Sequence, residues 1–379
     1  MHSPKNEAEL AEIIAGAETP LCVEGGGTRG CEVEGDRLAL RGLSGIELYE
    51  PGSLTLVARA GTPMAEIETL LASEGQRLAF EPMDTRGVLG SSGAPTIGGA
   101  MAANSSGPRR IQGGAARDYL LGVRFVDGAG QVIKNGGRVM KNVTGYDLVK
   151  LMAGSYGTLG VLSEVSLKVL PIPEAMATVS VAVPDLPSAV RAMSTALGSP
   201  YDVTGAAYDP GSGLAHIRLE GFAPSVRYRQ EKLAGELAGL GEVENRSGSE
   251  HLWQDIRDVA AFQGREGDVW RISVKPSDAV KLAPMLEAEA LQFDWGGGLI
   301  WALTSEGADL RARLMSAGLS GHATLVRAQS ATIAALGRFQ QQAQALELIS
   351  DGLRSRFDPR GVLNRGLMRA GQMAGMGRA

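Results

Sequence analysis

The chain has 379 residues, 44% of them hydrophobic and 21% charged, with a formal net charge of -5. That composition buries a real core over two or three domains, and it excludes a disordered chain and one built mainly to grip nucleic acid. Two cysteines, Cys22 and Cys31, and four histidines exclude an iron–sulfur cluster held by this chain alone, argue against a Cys/His zinc site, and fit a reducing compartment.

In chain order, Ser3-Pro4 reads as the cap and first residue of a helix running to about Ala15. Leu21-Cys22-Val23 reads as a short buried strand, followed at once by Gly25-Gly26-Gly27-Thr28-Arg29-Gly30. Residues 54–60 read as a strand, and Thr62-Pro63 as the start of a helix that stops at Gly75. Residues 87–107 carry no charged side chain yet are rich in Gly, Ser and Ala, which suits a tightly packed loop or short helix under a ligand. Residues 122–127 and 131–134 form a hairpin, 146–153 a short helix, and 161–170 a strand ended by Pro171 and Pro173. Beyond 174, strands at 178–183, 214–219, 269–274 and 299–303 alternate with helices at 186–197, 225–239, 278–291 and 308–317. A long helix follows at 331–357. No stretch is long and apolar enough to cross a membrane, and the polar N-terminus lacks a signal-peptide pattern, so the expected home is the cytoplasm.

Glycine is the outlier: 52 of 379 residues is nearly twice the usual share of about 7%. Three glycine-rich blocks carry the chemistry. Gly25, Gly27 and Gly30 match the G-x-G-x-x-G spacing of dinucleotide folds, with Glu47 and Glu50 near the distance of a ribose ligand. That motif must open a helix, whereas residues 31–40 read as strand and turn. A loop of bare N–H groups can still cradle a pyrophosphate, and an ordinary glycine turn has the same sequence. The second block holds Thr96-Ile97-Gly98-Gly99 and Asn104-Ser105-Ser106-Gly107, neutral donors at close range. The third is the turn Gly154-Ser155-Tyr156-Gly157-Thr158-Leu159-Gly160-Val161. Among single residues, His322 is a weak catalytic candidate, and His216 and His251 read as structural. Arg109-Arg110 and Arg117-Asp118 read as loop charges, with Arg110 a candidate phosphate contact. Arginines 354, 356, 360, 365 and 369 read as a solvated basic face or a docking patch.

The three blocks in this order resemble the PCMH-type FAD-binding domain of the vanillyl-alcohol-oxidase flavoproteins. Within that superfamily, Pro108-Arg109-Arg110, residues 116–122 and 139–148, Val269-Trp270-Arg271, residues 294–298, Gly321-His322-Ala323-Thr324 and residues 357–364 resemble the E-type subunits of glycolate oxidases. The resemblance implies an α+β chain: an FAD-binding domain of two subdomains over 1–172, a smaller α+β cap over 173–330, a C-terminal helical segment over 331–369 returning to the first domain, and a flexible tail over 370–379. It also implies FAD contacts at Gly25, Gly26, Gly27, Thr28, Arg29, Gly30, Thr96, Gly98, Gly99, Asn104, Gly107, Arg110, Gly114, Gly157, Thr158, Gly160 and Val161.

Residues 24–30 contain no histidine, so the FAD is expected to be non-covalent. Residues 294–301 lack the His-x-His of larger relatives, so no metal is expected. The implied partners are a catalytic D-type subunit and an iron–sulfur F-type subunit, in a complex oxidising glycolate to glyoxylate and at most peripheral to a membrane. No residue is an obvious general base, which places substrate oxidation in the partner. A free-standing FAD-dependent 2-hydroxy-acid oxidoreductase and a non-catalytic assembly subunit remain open alternatives.

Overall fold

The computed structural model describes residues 1–30, 33–138 and 145–368. Cys31, the 139–144 part of the 139–148 stretch, Arg369 and the tail at 370–379 lie outside the described residues.

The first half is built on a five-stranded antiparallel sheet in the order Ile46–Glu50, Thr55–Arg59, Val161–Lys168, Leu120–Val126, Val132–Gly136. Leu56, Ala58, Phe125, Val165 and Leu167 bury one face of it, and the helices Met64–Ser73 and Ile97–Ala102 cover that face with Ile67, Leu71, Ile97 and Met101. Beside it, Leu21–Glu24 and Asp36–Ala39 pair in parallel. The segment after the first glycine block is thus a strand and not a helix, so this is not a Rossmann unit. A C-terminal residue, Leu363, bridges Leu21 on the other edge.

The second half is one eight-stranded antiparallel sheet in the order Val243–Ser247, Ala175–Ala182, Leu214–Gly221, Val203–Asp209, Ala290–Asp294, Leu299–Thr304, Asp268–Val274, Gly321–Arg327. Side chains alternate across each strand, so the sheet has two different faces. Trp270, Ile272, Ile300 and Ala302 enter a core shared with the helices. The helix Leu186–Leu197 contributes Ala189, Ala192, Met193 and Ala196, spaced to one stripe. Val269, Leu299, Trp301 and Leu303 sit on the opposite face and pack against Met83 and Val88 of the first half. The eight-stranded sheet therefore lies with one face over the first half. This α+β architecture agrees with the expected fold class.

Several elements differ from the sequence reading. The first helix begins at Glu7, because Asn6 caps it by accepting from Glu9 N at 2.9 Å, while His2 is drawn into a bridge with Leu38. Thr62 caps nothing. Its hydroxyl donates to the Arg59 carbonyl, and Pro63 opens the helix. The expected helix 278–291 is a helix over Pro276–Leu282, a 3-10 turn over Ala283–Leu286 and a strand over Ala290–Asp294. Glu287 at φ +42° breaks the run. The long helix 331–357 is two helices, Ser330–Leu336 and Gln344–Phe357. Gly337 at φ +70° ends the first, and the Arg311 guanidinium donates to the Leu336 and Gly337 carbonyls. The strands Val203–Asp209, Val243–Ser247 and Gly321–Arg327 escaped the sequence reading.

Candidate functional site

The glycine loop follows the strand Leu21–Glu24 and is held from three sides. The Thr28 carbonyl accepts from Thr85 Oγ1 at 2.7 Å and from Ser91 Oγ at 3.1 Å, and Arg41 donates to the Gly26 carbonyl. A Cβ on Gly26 would stand 1.8 Å from the Ala94 carbonyl oxygen, and one on Gly25 2.2 Å from Thr96 Oγ1. These two glycines let the loop close against the 94–96 segment. Gly27 differs: at φ +67° it needs glycine for conformation, and its Cβ position is clear to 3.7 Å. The backbone N–H groups of Gly25, Gly26, Gly27 and Thr28 find no backbone acceptor among the described residues. Four such donors in one turn form an anion-binding concavity.

Gly25 to Gly30 line a cavity of about 100 Å³ together with Cys22, Thr96, Gly99, Ala102, Ala103 and Tyr156. Gly99, in the short helix, faces it with only Thr96 Oγ1 within reach of a Cβ, at 3.3 Å. Arg29, Ala103 and Tyr156 also line a second, larger cavity of about 340 Å³ between the two halves. Its wall on the first half is Asn104, Ser105, Ser106, Gly107 and Arg110. Its wall on the second half is the inner sheet face: Arg271, Leu299, Trp301, His322 and Thr324. Strand register explains the grouping, since Arg271 pairs with Trp301 on one side and Thr324 on the other. The two cavities thus meet at Arg29, Ala103 and Tyr156, with the glycine loop lining the smaller one.

The other expected cofactor residues stand elsewhere. Gly98 lines neither cavity; a Cβ there would meet Ala60 at 2.7 Å, so it is a packing glycine. Gly114, at φ +89°, turns the chain beside Asp118. Of the third block, Gly157 lies against Asn364 and Gly160 against the Phe125 ring. The Thr158 hydroxyl donates to the Ser155 carbonyl at 2.7 Å, and Val161 is core. Gly154 and Tyr156 of that block are the ones that reach the large cavity.

Arg109 is no surface charge. It is buried and donates from Nη2 to Glu81 at 3.1 Å and to Glu220 at 2.6 Å. Arg360 is exposed, as expected of a solvated face, but its guanidinium is tied to the carbonyls of Ala15, Ala17 and Gly128. His216 is buried against Ser180 Oγ at 2.9 Å, and burial pushes it down to about 4, so it stays neutral. His251 is exposed on the helix Glu250–Asp258.

The sequence reading missed the residues that give the large cavity its character. Arg271 is enclosed there, and burial pushes its guanidinium down to about 10. Asp294, the carboxylate on the cavity wall, is buried, and that burial pushes it up to about 7 against the backbone N–H of Trp295 and the charge of Arg218. His322 stands at the mouth, its pKa lowered by burial and then by Arg271 and Arg311. Only the alternation in Val269-Trp270-Arg271-Ile272 signalled that Arg271 faces away from the apolar core.

Among the described residues, no group of three or more His, Cys, Asp or Glu is arranged to hold a metal ion, and no helix is long and apolar enough to cross a membrane.

Residues 2–136 match the FAD binding domain family. The chain is 38% identical over 362 residues to the glycolate oxidase subunit GlcE of Escherichia coli (strain K12), covering 93% of each chain. It is 31% identical over 205 residues to the glycolate oxidase subunit GlcD of Bacillus subtilis (strain 168), covering 51% of this chain and 41% of the relative. Among solved structures, an alkyldihydroxyacetonephosphate synthase shares the fold with a TM-score of 0.69 at 16% identity, covering 96% of this chain and 76% of that one.

Proposed function

We propose that this chain, which belongs to the family of the glycolate oxidase subunit GlcE, is the FAD-holding subunit of a complex that oxidises glycolate to glyoxylate. The observation that carries the reading is the glycine loop, whose four N–H groups have no backbone acceptor among the described residues and whose residues line a cavity that shares three lining residues with a second one between the two halves. In this reading Gly25 to Gly30, Thr96 and Gly99 would hold the FAD pyrophosphate, and Asn104 to Gly107 the ring system. Residues 1–172 act as the cofactor domain and 173–330 as its cap. When bound, FAD supplies two-electron chemistry, and the protein supplies binding, orientation and electrostatics.

The partner is a D-type catalytic subunit, joined by an iron–sulfur F-type subunit. The chain's flavin relays electrons within that assembly or supports the catalytic subunit. The assembly is cytoplasmic, with any membrane contact peripheral. The test is the visible spectrum of the purified chain before and after acid precipitation. A flavin band that leaves with the supernatant at near one FAD per chain is expected. A chain that stays colourless after mixing with excess FAD would overturn the reading.

A further inference from the structure

Trp295 follows Asp294 at the edge of the large cavity, and its ring carries two cations. The Arg110 guanidinium carbon stands 4.5 Å from the ring centroid and that of Arg271 5.0 Å. Trp295 is itself pinned, its indole N–H donating to the Gly107 carbonyl at 3.1 Å. Arg110 comes from the first half and Arg271 from the cap, so the stack forms across the seam.

Most other arginines on the cavity wall have their charge or donors engaged nearby. Arg257 pairs with Asp258 at 2.6 Å and Arg354 with Asp351 at 2.9 Å, while Arg338 donates to the Val326 carbonyl. Arg110 and Arg271 have no carboxylate partner among the described residues. Each lowers the proton affinity of its surroundings: Arg110 acts on Arg271, and Arg271 on His322. Two cations, one enclosed and one half-buried, aligned by one aromatic ring and held in no salt bridge among the described residues, are arranged for an anion. The planar guanidinium suits a carboxylate by bidentate contact. Asp294, which lines the same cavity, would accept a hydrogen bond from a hydroxyl on that anion.

We propose that Arg110 and Arg271, ordered by Trp295, form a carboxylate clamp in this chain's own cavity, so that the subunit binds a small hydroxy-monocarboxylate itself. The proposal deepens the functional reading, which leaves substrate oxidation with the partner. It rests on the cavity being the site beside the FAD.

Isothermal titration of the FAD-loaded chain with glycolate, and with its neutral twin glycolamide, tests it. Glycolate is expected to bind at least tenfold more tightly than glycolamide. Arg271→Met lowers glycolate affinity by about ten- to a hundredfold, the scale of a lost charge-assisted hydrogen-bonded pair, and Arg271→Lys recovers part of it. If Arg271→Met fails to fold, Arg110→Gln is read in its place. Equal binding of glycolate and glycolamide, or unchanged affinity in the arginine variants, overturns the clamp. Flavin content is measured separately in each protein. A chain that holds FAD and ignores glycolate sinks the clamp alone. A colourless chain that binds glycolate through Arg271 sinks the FAD reading and keeps the clamp.

Discussion

Asp294 shows how one residue's position sets its chemistry. Burial pushes it from an ordinary 3.8 up to about 7, while Trp295 N, Arg218 and Arg271 pull the other way and Glu81 pushes with burial. Such a group binds its proton more tightly folded than unfolded. It therefore adds stability below about pH 4 that is lost as pH rises to about 7. Asp294→Asn keeps an oxygen for the Trp295 N–H and removes the buried charge. Its melting temperature should exceed that of the parent by little at pH 4.5 and by clearly more at pH 8, a change of at most about 4 kcal/mol. An equal gap at both pH values would refute the assignment. The glycines divide in the same residue-by-residue way. Gly99→Leu should leave the fold intact and remove FAD binding, because its open side faces the cavity. Gly26→Ala should destabilise the loop itself, because its Cβ meets backbone. Circular dichroism with flavin titration separates the two. The glycine loop was legible in the sequence since its chemistry is local backbone chemistry. Arg271 and Asp294 were not, because a strand residue's environment is set by the partner strands and the domain it faces.

The C-terminal segment is the element that holds the glycine blocks together. Asp358 accepts from Val362 N at 3.0 Å and Leu363 N at 2.8 Å, which turns the chain after the last helix. Asn364 then accepts from Val23 N at 2.7 Å and donates to the Tyr156 carbonyl at 2.8 Å. One buried side chain thus joins the strand before the first glycine block to the turn of the third. The resemblance marked residues 357–364 as significant, and the geometry makes their role positional. Asn364 sits at φ +40°, so glycine tolerates the backbone and isolates the side chain's part. Asn364→Gly should cost about 1–3 kcal/mol in urea unfolding, since it removes the acceptor of the Val23 N–H and the amide that donates to the Tyr156 carbonyl, both half-buried. FAD affinity should fall with it, read from flavin fluorescence on titration. Unchanged stability would show that the tether carries no weight. The two breaks in helix reading, after Leu282 and at Gly337, were passed over in the sequence for a different reason. Periodicity continued through both and outweighed the breakers that each contains, Pro284 and Gly337.

Across the whole molecule the two halves are locked by a buried charge network. Arg218, on the second-half strand Leu214–Gly221, reaches Glu81 of the first half through two bonds, at 2.9 and 3.0 Å. Arg109 joins Glu81 to Glu220, and Arg77 adds a contact to Glu220 at 2.7 Å. Trp253 lies 4.6 Å from the Arg218 guanidinium carbon. Burial alone would raise Glu81; Arg218 and Arg109 outweigh it and hold the carboxyl at about 2. Its folded value lies below the ordinary 4.5, so its contribution is present above pH 4.5 and lost as pH falls toward 2.

Glu81→Gln leaves Arg218 and Arg109 short of countercharge at the seam. At pH 7 it should cost about 3–5 kcal/mol, the scale of a broken buried pair. At pH 3 the gap to the parent should shrink, because the parent has by then lost much of the same interaction. Urea unfolding at the two pH values reads this, and a gap that stays constant would mean that Glu81 is not the charge that closes the seam. The network also bears on the carboxylate clamp. Cations paired across the interface are committed to closing it, whereas Arg110 and Arg271 lie outside that pairing and stay available to a ligand. Glu81→Gln should therefore reduce stability far more than it reduces glycolate affinity in the protein that remains folded, and Arg271→Met should do the reverse.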